Sequence, residues 1–366
     1  MKQIKFENYY NKVLGSWIGR VAGDHVGAPI EFKPYDFIMQ QYGTIDSYLK
    51  PVDVNYVNDD EMYEICALIA LEKHGLDISS KEIAKEWVDR LYKQNFTAER
   101  VALKNLKKGI ESPKSGITKN IWYDAIGAQM RADIWGQICP GCPRMAKYYA
   151  EIDGSISHAG IGIDGEVYVA ILISNAFFEK DIRKNIHNSI KFLPLREESR
   201  YTDMIFKAIE LYDENPNDFR KAREKLMEYW NTIRVELVQK ANVRRKREFL
   251  NHEILSGVHV LPNAGFIILS LLYGANTKED SLGRSICIAA MLGLDTDCNC
   301  GNVGAIVGAQ IGAEMIKSKW REPLKDTFNT YVKDYEHWKI SELASRIAKI
   351  GKQICETKCK DIVNII

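Results

Sequence analysis

The feature that most constrains the fold is a stripe of small residues toward the C-terminal end of the chain. Glycine recurs at every fourth position, at Gly304, Gly308 and Gly312, and an alanine follows each one. Residues four apart share one face of an α-helix, so the backbone of a second helix can approach this face closely. The stripe therefore predicts a helix at the centre of an all-α bundle.

Two carboxylates, Asp295 and Asp297, stand one residue apart just before this stripe. Acidic groups at the mouth of a tightly packed helix cost free energy unless a cation neutralises them. A hard divalent cation is the natural candidate, because it prefers carboxylate and carbonyl oxygens. The alternative is that both side chains cap the helix and interact with its dipole. The motif alone favours neither interpretation.

A second acidic segment, Asn58-Asp59-Asp60-Glu61, precedes an amphipathic stretch. Asn58 or Asp59 could serve as an N-cap, and acids in a first helical turn complement the helix dipole. Capping accounts for one or two of these acids. Three consecutive carboxylates repel one another, and a bound cation would relieve that repulsion.

Two further segments carry candidate functional residues. A closely packed helix is predicted over 9–27, and Pro29 ends it. Glu31 then lies on the following loop. From this segment alone, an exposed glutamate without a function is the simpler interpretation. The glycine-rich stretch from Gly154 to Glu166 is predicted to be a loop that precedes an apolar helix over 167–178. Such a loop can bring backbone amides to a phosphate, although a lone histidine such as His158 usually serves only to fix a loop.

Other helices follow from apolar residues at helical spacing. They are predicted over 80–94, 97–109, 125–138, 260–274 and 281–292, in several amphipathic segments between 181 and 247, and after Trp338. No linker or change in composition divides the chain, so one all-α domain over residues 1–366 is expected.

Composition narrows the classes of protein. The net charge of +1 gives no overall field that would attract nucleic acid or a membrane surface, and the basic cluster Arg244–Arg247 lacks accompanying aromatic residues. No apolar run reaches the roughly 18 residues that a membrane span needs, and the N-terminus lacks the apolar core of a signal peptide. Eight cysteines in a chain of this length are expected to be reduced, which predicts a cytoplasmic protein without membrane or specific nucleic-acid partners.

Four of these segments together resemble the ADP-ribosylglycohydrolase family, which includes the dinitrogenase-reductase-activating glycohydrolases. The matching segments occur in the family's order and span most of the chain: 15–31, 58–60, 157–166 and 293–312. The intervening sequence resembles a bacterial branch whose last motif is Asp-Thr-Asp-Cys-Asn.

The resemblance implies an orthogonal bundle of helices around a cleft that holds two Mg²⁺ ions. It assigns the metal ligands to Asn58, Asp59, Asp60, Asp295, Asp297 and Cys298. It places Glu31 and Asp60 in catalysis, and Ser157, His158, Gly160 and Gly162 at the substrate. The implied substrate is an ADP-ribosylated protein or a small molecule that resembles ADP-ribose.

The chain departs from the family pattern at Cys298, where the family usually has threonine, and at Asn58, where it also has threonine. An asparagine oxygen remains an acceptable hard ligand, but a thiol is a poor ligand for magnesium. One ion could therefore be weakened, lost or replaced by Mn²⁺.

Three alternatives to this function stay open at the level of sequence. A related hydrolase of nucleosides or other N-glycosides could use the same metal site. A ligand-binding pseudoenzyme is less consistent with the retained carboxylates. A zinc protein could use Cys139 and Cys142 together with Cys298 and Cys300.

Overall fold

The protein is built almost entirely from helices. The computed structural model describes residues 1–240 and 257–366, and the predicted basic cluster Arg244–Arg247 lies outside these ranges. In chain order the α-helices of the described part are α1 (Phe6–Gly27), α2 (Tyr35–Tyr42), α3 (Asp60–His74), α4 (Ser80–Arg90), α5 (Thr97–Leu106), α6 (Lys114–Ile117), α7 (Gly127–Met130), α8 (Asp133–Gln137), α9 (Pro143–Gly154), α10 (Ile161–Ala176), α11 (Ile182–Ile190), α12 (Arg200–Glu214), α13 (Phe219–Lys240), α14 (Val260–Gly274), α15 (Ser281–Leu292), α16 (Thr296–Ile311), α17 (Ser318–Arg321) and α18 (Ile340–Thr357). The predicted all-α class is confirmed.

Short 3-10 helices and strands complete the described part. The 3-10 helices span Ala28–Ile30, Ala313–Met315 and Glu322–Leu324. The strands are β1 (Lys2–Ile4), β2 (Thr327–Asn329), β3 (His337–Lys339) and β4 (Val363–Ile365). Strand β1 pairs in parallel with β4, and β2 pairs antiparallel with β3, so one two-stranded sheet joins the two ends of the chain. Within the described ranges, no helix has both the length and the apolar character that a membrane crossing requires.

Helices α1 and α16 lie at the centre with their backbones in direct contact. A carbon added at Gly19 would lie 2.1 Å from the carbonyl oxygen of Gly304, and one added at Gly304 would lie 2.0 Å from that of Gly19. The same contact recurs every four residues along this antiparallel pair: Gly15 with Gly308, Gly23 with Cys300, and Gly27 with Thr296. The predicted stripe on α16 therefore packs against a matching stripe on α1.

Three apolar helices, α10, α14 and α15, surround α16 and enclose it. Helix α16 itself is buried from Thr296 to Ala309. The third glycine of the predicted stripe, Gly312, lies beyond the helix and has a φ of 81°, a conformation that ends helices. Because the N-terminus of α16 lies in the interior, Asp295 and Asp297 are buried with it, each 4 % exposed.

Several predicted helix ends differ from the structure by three or four residues, as at Arg90 and Leu106, and two wrong boundaries bear on the site. Helix α10 already begins at Ile161, so Gly162 lies in its first turn rather than in a loop. Glycine lowers helix propensity, but here its missing side chain admits the carbonyl oxygen of Tyr123, which would lie 2.4 Å from an added carbon.

The single helix predicted over 125–138 is two short helices, α7 and α8, separated at Arg131 and Ala132. The start of α8 is fixed from a distance, because the carboxylate of Glu64 accepts a hydrogen bond of 2.7 Å from the Ile134 N–H. The break also allows the Arg131 side chain to reach Glu99 and Asp153 in the interior.

Candidate active site

Two buried acidic side chains lie at the N-terminus of α16. Asp295 occupies the N-cap position, but its side chain makes no capping hydrogen bond. The Oδ1 atoms of Asp295 and Asp297 are buried and have no hydrogen-bond partner in the described part of the chain. One ligand atom each from Asp295, Asp297 and Cys298 lie within 4.8 Å of one another. These orphan oxygens favour a cation site over the capping alternative, because buried acceptors are normally paired.

The backbone around this turn is held in an unusual conformation. Leu294 has a φ of 69°, which is sterically costly for a residue with a branched side chain. Its carbonyl oxygen accepts a hydrogen bond of 3.0 Å from the N–H of Phe32, the residue after Glu31. The Asn263 side chain accepts the Asp295 N–H at 3.3 Å. These contacts place the Glu31 segment beside the Asp295 turn.

The second acidic segment reaches the same place. The amide of Asn58 donates a hydrogen bond of 3.3 Å to Oδ2 of Asp297, a residue 239 positions away in the sequence. Sγ of Cys298 donates to Oδ1 of Asp60 at 3.4 Å. Asp59 occupies the N-cap position of α3 without a capping hydrogen bond, and burial followed by the charges of Asp60 and Asp297 raises its pKa. The structure thus brings together the two acidic segments that the sequence analysis assigned to one metal site, while their roles as ligands stay predictions.

A buried arginine, which the sequence analysis did not identify, lies in the middle of these acids. Arg20 of α1 is fully buried, and its guanidinium lies 2.9 Å from Oδ2 of Asp60, 3.3 Å from Oδ2 of Asp133 and 3.7 Å from Oδ2 of Asp24. It also donates to the Met130 carbonyl. A charged residue within the mostly small and apolar stretch from Val13 to Gly23, four positions before Asp24, is the sequence signal that would have found it.

The donor set fits a hard divalent cation. Within the described residues, Asp295 and Asp297 offer free carboxylate oxygens, and Asp59 and Glu31 are close enough to Asp297 for its charge to raise the pKa of both. One arginine cannot neutralise this many buried carboxylates, and a buried charge without a partner is strongly unfavourable. The described residues therefore contain a candidate acidic metal site, as predicted.

Glu31 lies at the edge of this site. It follows the 3-10 helix Ala28–Ile30 and is partly buried, not exposed. Burial and the nearby carboxylates of Asp297 and Asp60 raise its pKa to about 8. A carboxylate with a pKa near neutrality is suited to accept a proton from water, so Glu31 is the best-placed candidate for a general base.

The raised pKa predicts how the metal-free protein responds to pH. The pKa of Glu31 is about 8 in the folded chain and close to its ordinary value of 4.5 when unfolded, so between these values the folded state holds more protons. Stability therefore falls as pH rises through this window, by at least about 1 kcal/mol between pH 5.5 and 8. Thermal unfolding of chelator-treated protein measures this loss, which should be smaller in Glu31→Gln. Equal losses in the two proteins would contradict the shift.

Ser157 and His158 lie in a buried network around Arg131. Arg131 donates to the Ser157 hydroxyl at 3.0 Å, and that hydroxyl is 2.8 Å from Nδ1 of His158. Burial and the positive charge of Arg131 lower the pKa of His158, so its imidazole is neutral. Its Nε2 is buried and has no hydrogen-bond partner within the described ranges.

Most backbone amides of the predicted phosphate loop are already used. The N–H groups of Ser157 and His158 donate to Gly154, that of Ala159 donates to Tyr123, and that of Gly162 donates to Ala159. Gly160 differs, because it is exposed, has a φ of 54° and faces open space. The prediction that backbone amides of this loop bind phosphate is therefore narrowed to Gly160 and the N-terminus of α10.

A zinc site would require the pair Cys139 and Cys142 to meet the pair Cys298 and Cys300, and the recorded thiol contacts do not join the two pairs. The Cys142 thiol hydrogen-bonds with Cys355 and Cys359. By contrast, Cys298 donates to Asp60, and Cys300 donates to the Ile286 carbonyl. The two cysteine pairs proposed from sequence therefore have separate partners, and all eight cysteines are free thiols.

The contact with Asp60 predicts the effect of changing Cys298. Burial, and then the charge of Asp295, raise the pKa of this thiol, so it keeps its proton and donates it to Asp60. The hydroxyl of Cys298→Thr can make the same hydrogen bond, so the ratio of Mg²⁺ to Mn²⁺ affinity should change by less than about threefold. Calorimetric titration with each ion measures this ratio. A shift of tenfold or more toward magnesium would show that the side chain at this position contacts the metal.

Comparison with known proteins agrees with this architecture. The family model described as ADP-ribosylglycohydrolase matches residues 6–355. An uncharacterised protein of Archaeoglobus fulgidus is 26% identical over 352 residues, which cover 94% of this chain and 99% of that protein. A solved structure described as an ADP-ribosylglycohydrolase-related protein complex has a similar fold, with a TM-score of 0.56 and 16% identity over 94% of this chain and 99% of that one.

Proposed function

Because the chain belongs to the ADP-ribosylglycohydrolase family, we propose that it is a metal-dependent hydrolase that releases ADP-ribose from a protein or a small molecule. The bond to be cleaved is the glycosidic bond at the anomeric carbon of the ribose. The observation that carries the proposal is the pair of buried carboxylate oxygens on Asp295 and Asp297 that have no hydrogen-bond partner among the described residues, beside a glutamate with a raised pKa.

The metal would be held by Asp295 and Asp297, with Asp59 facing them. When bound, a divalent ion such as Mg²⁺ or Mn²⁺ would orient the ribose hydroxyls, and orientation of this kind lowers reaction barriers substantially. Cleavage of a glycosidic bond passes through an oxocarbenium-like transition state. Glu31 would take a proton from the water as its oxygen bonds to the anomeric carbon. The bond to the leaving group breaks, and that group takes up a proton.

Asp60 supports this chemistry from a less direct position than the sequence suggested. Its Oδ2 is paired with Arg20 and its Oδ1 accepts from Cys298, so the protein already engages both oxygens. This leaves Glu31 as the proposed base and Asp60 as a residue that holds Arg20 and Cys298 in place.

The diphosphate would bind at the other side of the cleft. The exposed backbone at Gly160 and the N-terminal end of the 16-residue helix α10 favour an anion, because unpaired N–H groups and the helix dipole both point there. The neutral His158 imidazole offers its Nε2 to the same ligand.

The test is a substrate panel assayed with Mg²⁺ and with Mn²⁺. It contains ADP-ribosylated proteins with different acceptor residues, small ADP-ribosides and free nucleosides, and the product is measured by chromatography. Release of free ADP-ribose supports the proposal. Cleavage of nucleosides alone would favour the related N-glycoside hydrolase, and metal-dependent binding without any turnover would favour a pseudoenzyme.

A further inference from the structure

Arg20 brings a fixed positive charge into a site where the family resemblance implies a second metal ion. Its guanidinium is completely buried and pairs with Asp60, Asp133 and Asp24 at 2.9, 3.3 and 3.7 Å. All three carboxylates are themselves buried, with exposed fractions of 2 % or less. A cation in this position attracts the acids that surround it and repels another cation.

Both oxygens of Asp60 are engaged. Oδ2 is held by Arg20, and Oδ1 accepts a hydrogen bond of 3.4 Å from Sγ of Cys298. Asp297 differs, because its Oδ1 has no hydrogen-bond partner in the described part of the chain and its Oδ2 accepts a long bond of 3.3 Å from Asn58. Oxygens without a hydrogen bond also occur on Asp24 and Asp133, but these two residues form ion pairs with Arg20, whereas Asp295 and Asp297 form none with it in the described part of the chain.

We infer that Arg20 takes the place of one metal ion, so that the centre binds a single divalent cation on Asp295 and Asp297 while Asp60 stays outside the ligand shell. The inference rests on the proposed function in taking the Asp295–Asp297 pair as the metal centre. It goes further in naming the residue that limits the centre to one ion. Arg20 is then a positioning residue, because it acts through Asp60 and not on the substrate.

The first test is the stoichiometry of metal binding without substrate. Chelator-treated wild-type protein is titrated with Mg²⁺ and with Mn²⁺ by calorimetry, and bound metal per chain is measured by mass spectrometry after desalting. One ion per chain is expected. Two ions per chain, with either metal, would overturn the inference.

The second test separates the two sides of the site. Asp297→Asn should weaken metal affinity at least about tenfold more than Asp60→Asn, because only Asp297 is a ligand in this account. Equal losses, or a larger loss in Asp60→Asn, would place Asp60 in the ligand shell and overturn the inference.

The third test removes the arginine. Arg20→Met should free Asp60 and raise the stoichiometry to two ions, whereas Arg20→Lys keeps the charge and should still bind one. Lys12→Met is the matched control, because Lys12 is a cation on the same helix, α1, but donates to the carbonyls of Ala309 and Gln310 at the C-terminal end of α16. It should leave the stoichiometry at one. If Arg20→Met folds and binds one ion, the inference is wrong; if it does not fold, the first two tests decide.

These measurements use no substrate, so their failure differs from failure of the proposed function. A protein that binds one ion but cleaves no ADP-ribosyl substrate would retain the metal inference and lose the hydrolase. A protein that releases ADP-ribose with two bound ions would retain the hydrolase and lose the role of Arg20.

Discussion

Glu31→Gln is expected to reduce kcat for ADP-ribose release about 100-fold or more while the affinity for metal and for ADP-ribose stays nearly the same. The amide has the shape of the carboxylate, but it cannot accept a proton from the attacking water. Without metal, burial and the charges of Asp297 and Asp60 raise the pKa of Glu31 to about 8, and a divalent cation bound by Asp297 would favour the deprotonated form that a base needs. Steady-state kinetics together with calorimetric titration of ADP-ribose separate the two quantities.

The matched control is Glu61→Gln. Glu61 belongs to the acidic segment Asn58-Asp59-Asp60-Glu61, which lies beside the site. Glu61 is buried, and its side chain forms a hydrogen bond with Asp24, whereas Glu31 is partly exposed at the edge of the site. Its substitution should reduce kcat much less than that of Glu31. Near-normal turnover in Glu31→Gln would assign the base to another residue, and Glu61 would then be the first to consider.

Gly19→Ala is expected to destabilise the fold by about 3 kcal/mol or more, since overpacking in a rigid core forces backbone shifts. The added carbon would lie 2.1 Å from the Gly304 carbonyl oxygen, and backbone atoms cannot move aside as a flexible side chain can. Chemical or thermal unfolding measures the loss. The contact between α1 and α16 also positions the site, because α1 carries Arg20 and the N-terminus of α16 carries Asp295 and Asp297.

Gly257→Ala is the control for this substitution. Its added carbon would meet the Phe32 ring at 3.4 Å, an ordinary van der Waals distance. Its effect on stability should be within about 1 kcal/mol. If Gly19→Ala were as stable as Gly257→Ala, the close approach of α1 and α16 would be wrong.

The sequence identified the central helix but not its partner. The stripe at Gly304 and Gly308 predicts close approach, and small residues at Gly15, Gly19 and Gly23 were visible in the first helix as well. The local sequence does not indicate that the two stripes face each other, because the paired residues lie almost 300 positions apart. The hydrogen bond from Ser16 to the Ala305 carbonyl, for example, spans 289 positions. Pairing of this kind is set by tertiary packing.

The two wrong helix boundaries have the same cause. The break between α7 and α8 depends on Glu64, whose carboxylate binds the Ile134 N–H from 70 residues away. The early start of α10 depends on the Tyr123 carbonyl, which occupies the space beside Gly162. Propensity favours a continuous helix in the first case and a loop in the second, and contacts between distant segments override it in both.

The candidate site was predicted in part for a physical reason. Clustered acids are conspicuous because they repel one another, so Asp59, Asp295 and Asp297 could be named as candidates from sequence, and the family resemblance then assigned them to one metal site. Arg20 and Asp133 were missed because single charges on helices usually face solvent. Their burial, complete for both side chains, is visible only in three dimensions.

The most direct test of a metal-dependent hydrolase centred on Asp295 and Asp297 is the release of ADP-ribose before and after removal of metal. Wild-type protein treated with a chelator and desalted should lose turnover on an ADP-ribosylated substrate and regain it when Mg²⁺ or Mn²⁺ is returned. Asp297→Asn should remain inactive at the metal concentration that restores the wild type. Full turnover in the presence of chelator, or in Asp297→Asn, would contradict the account.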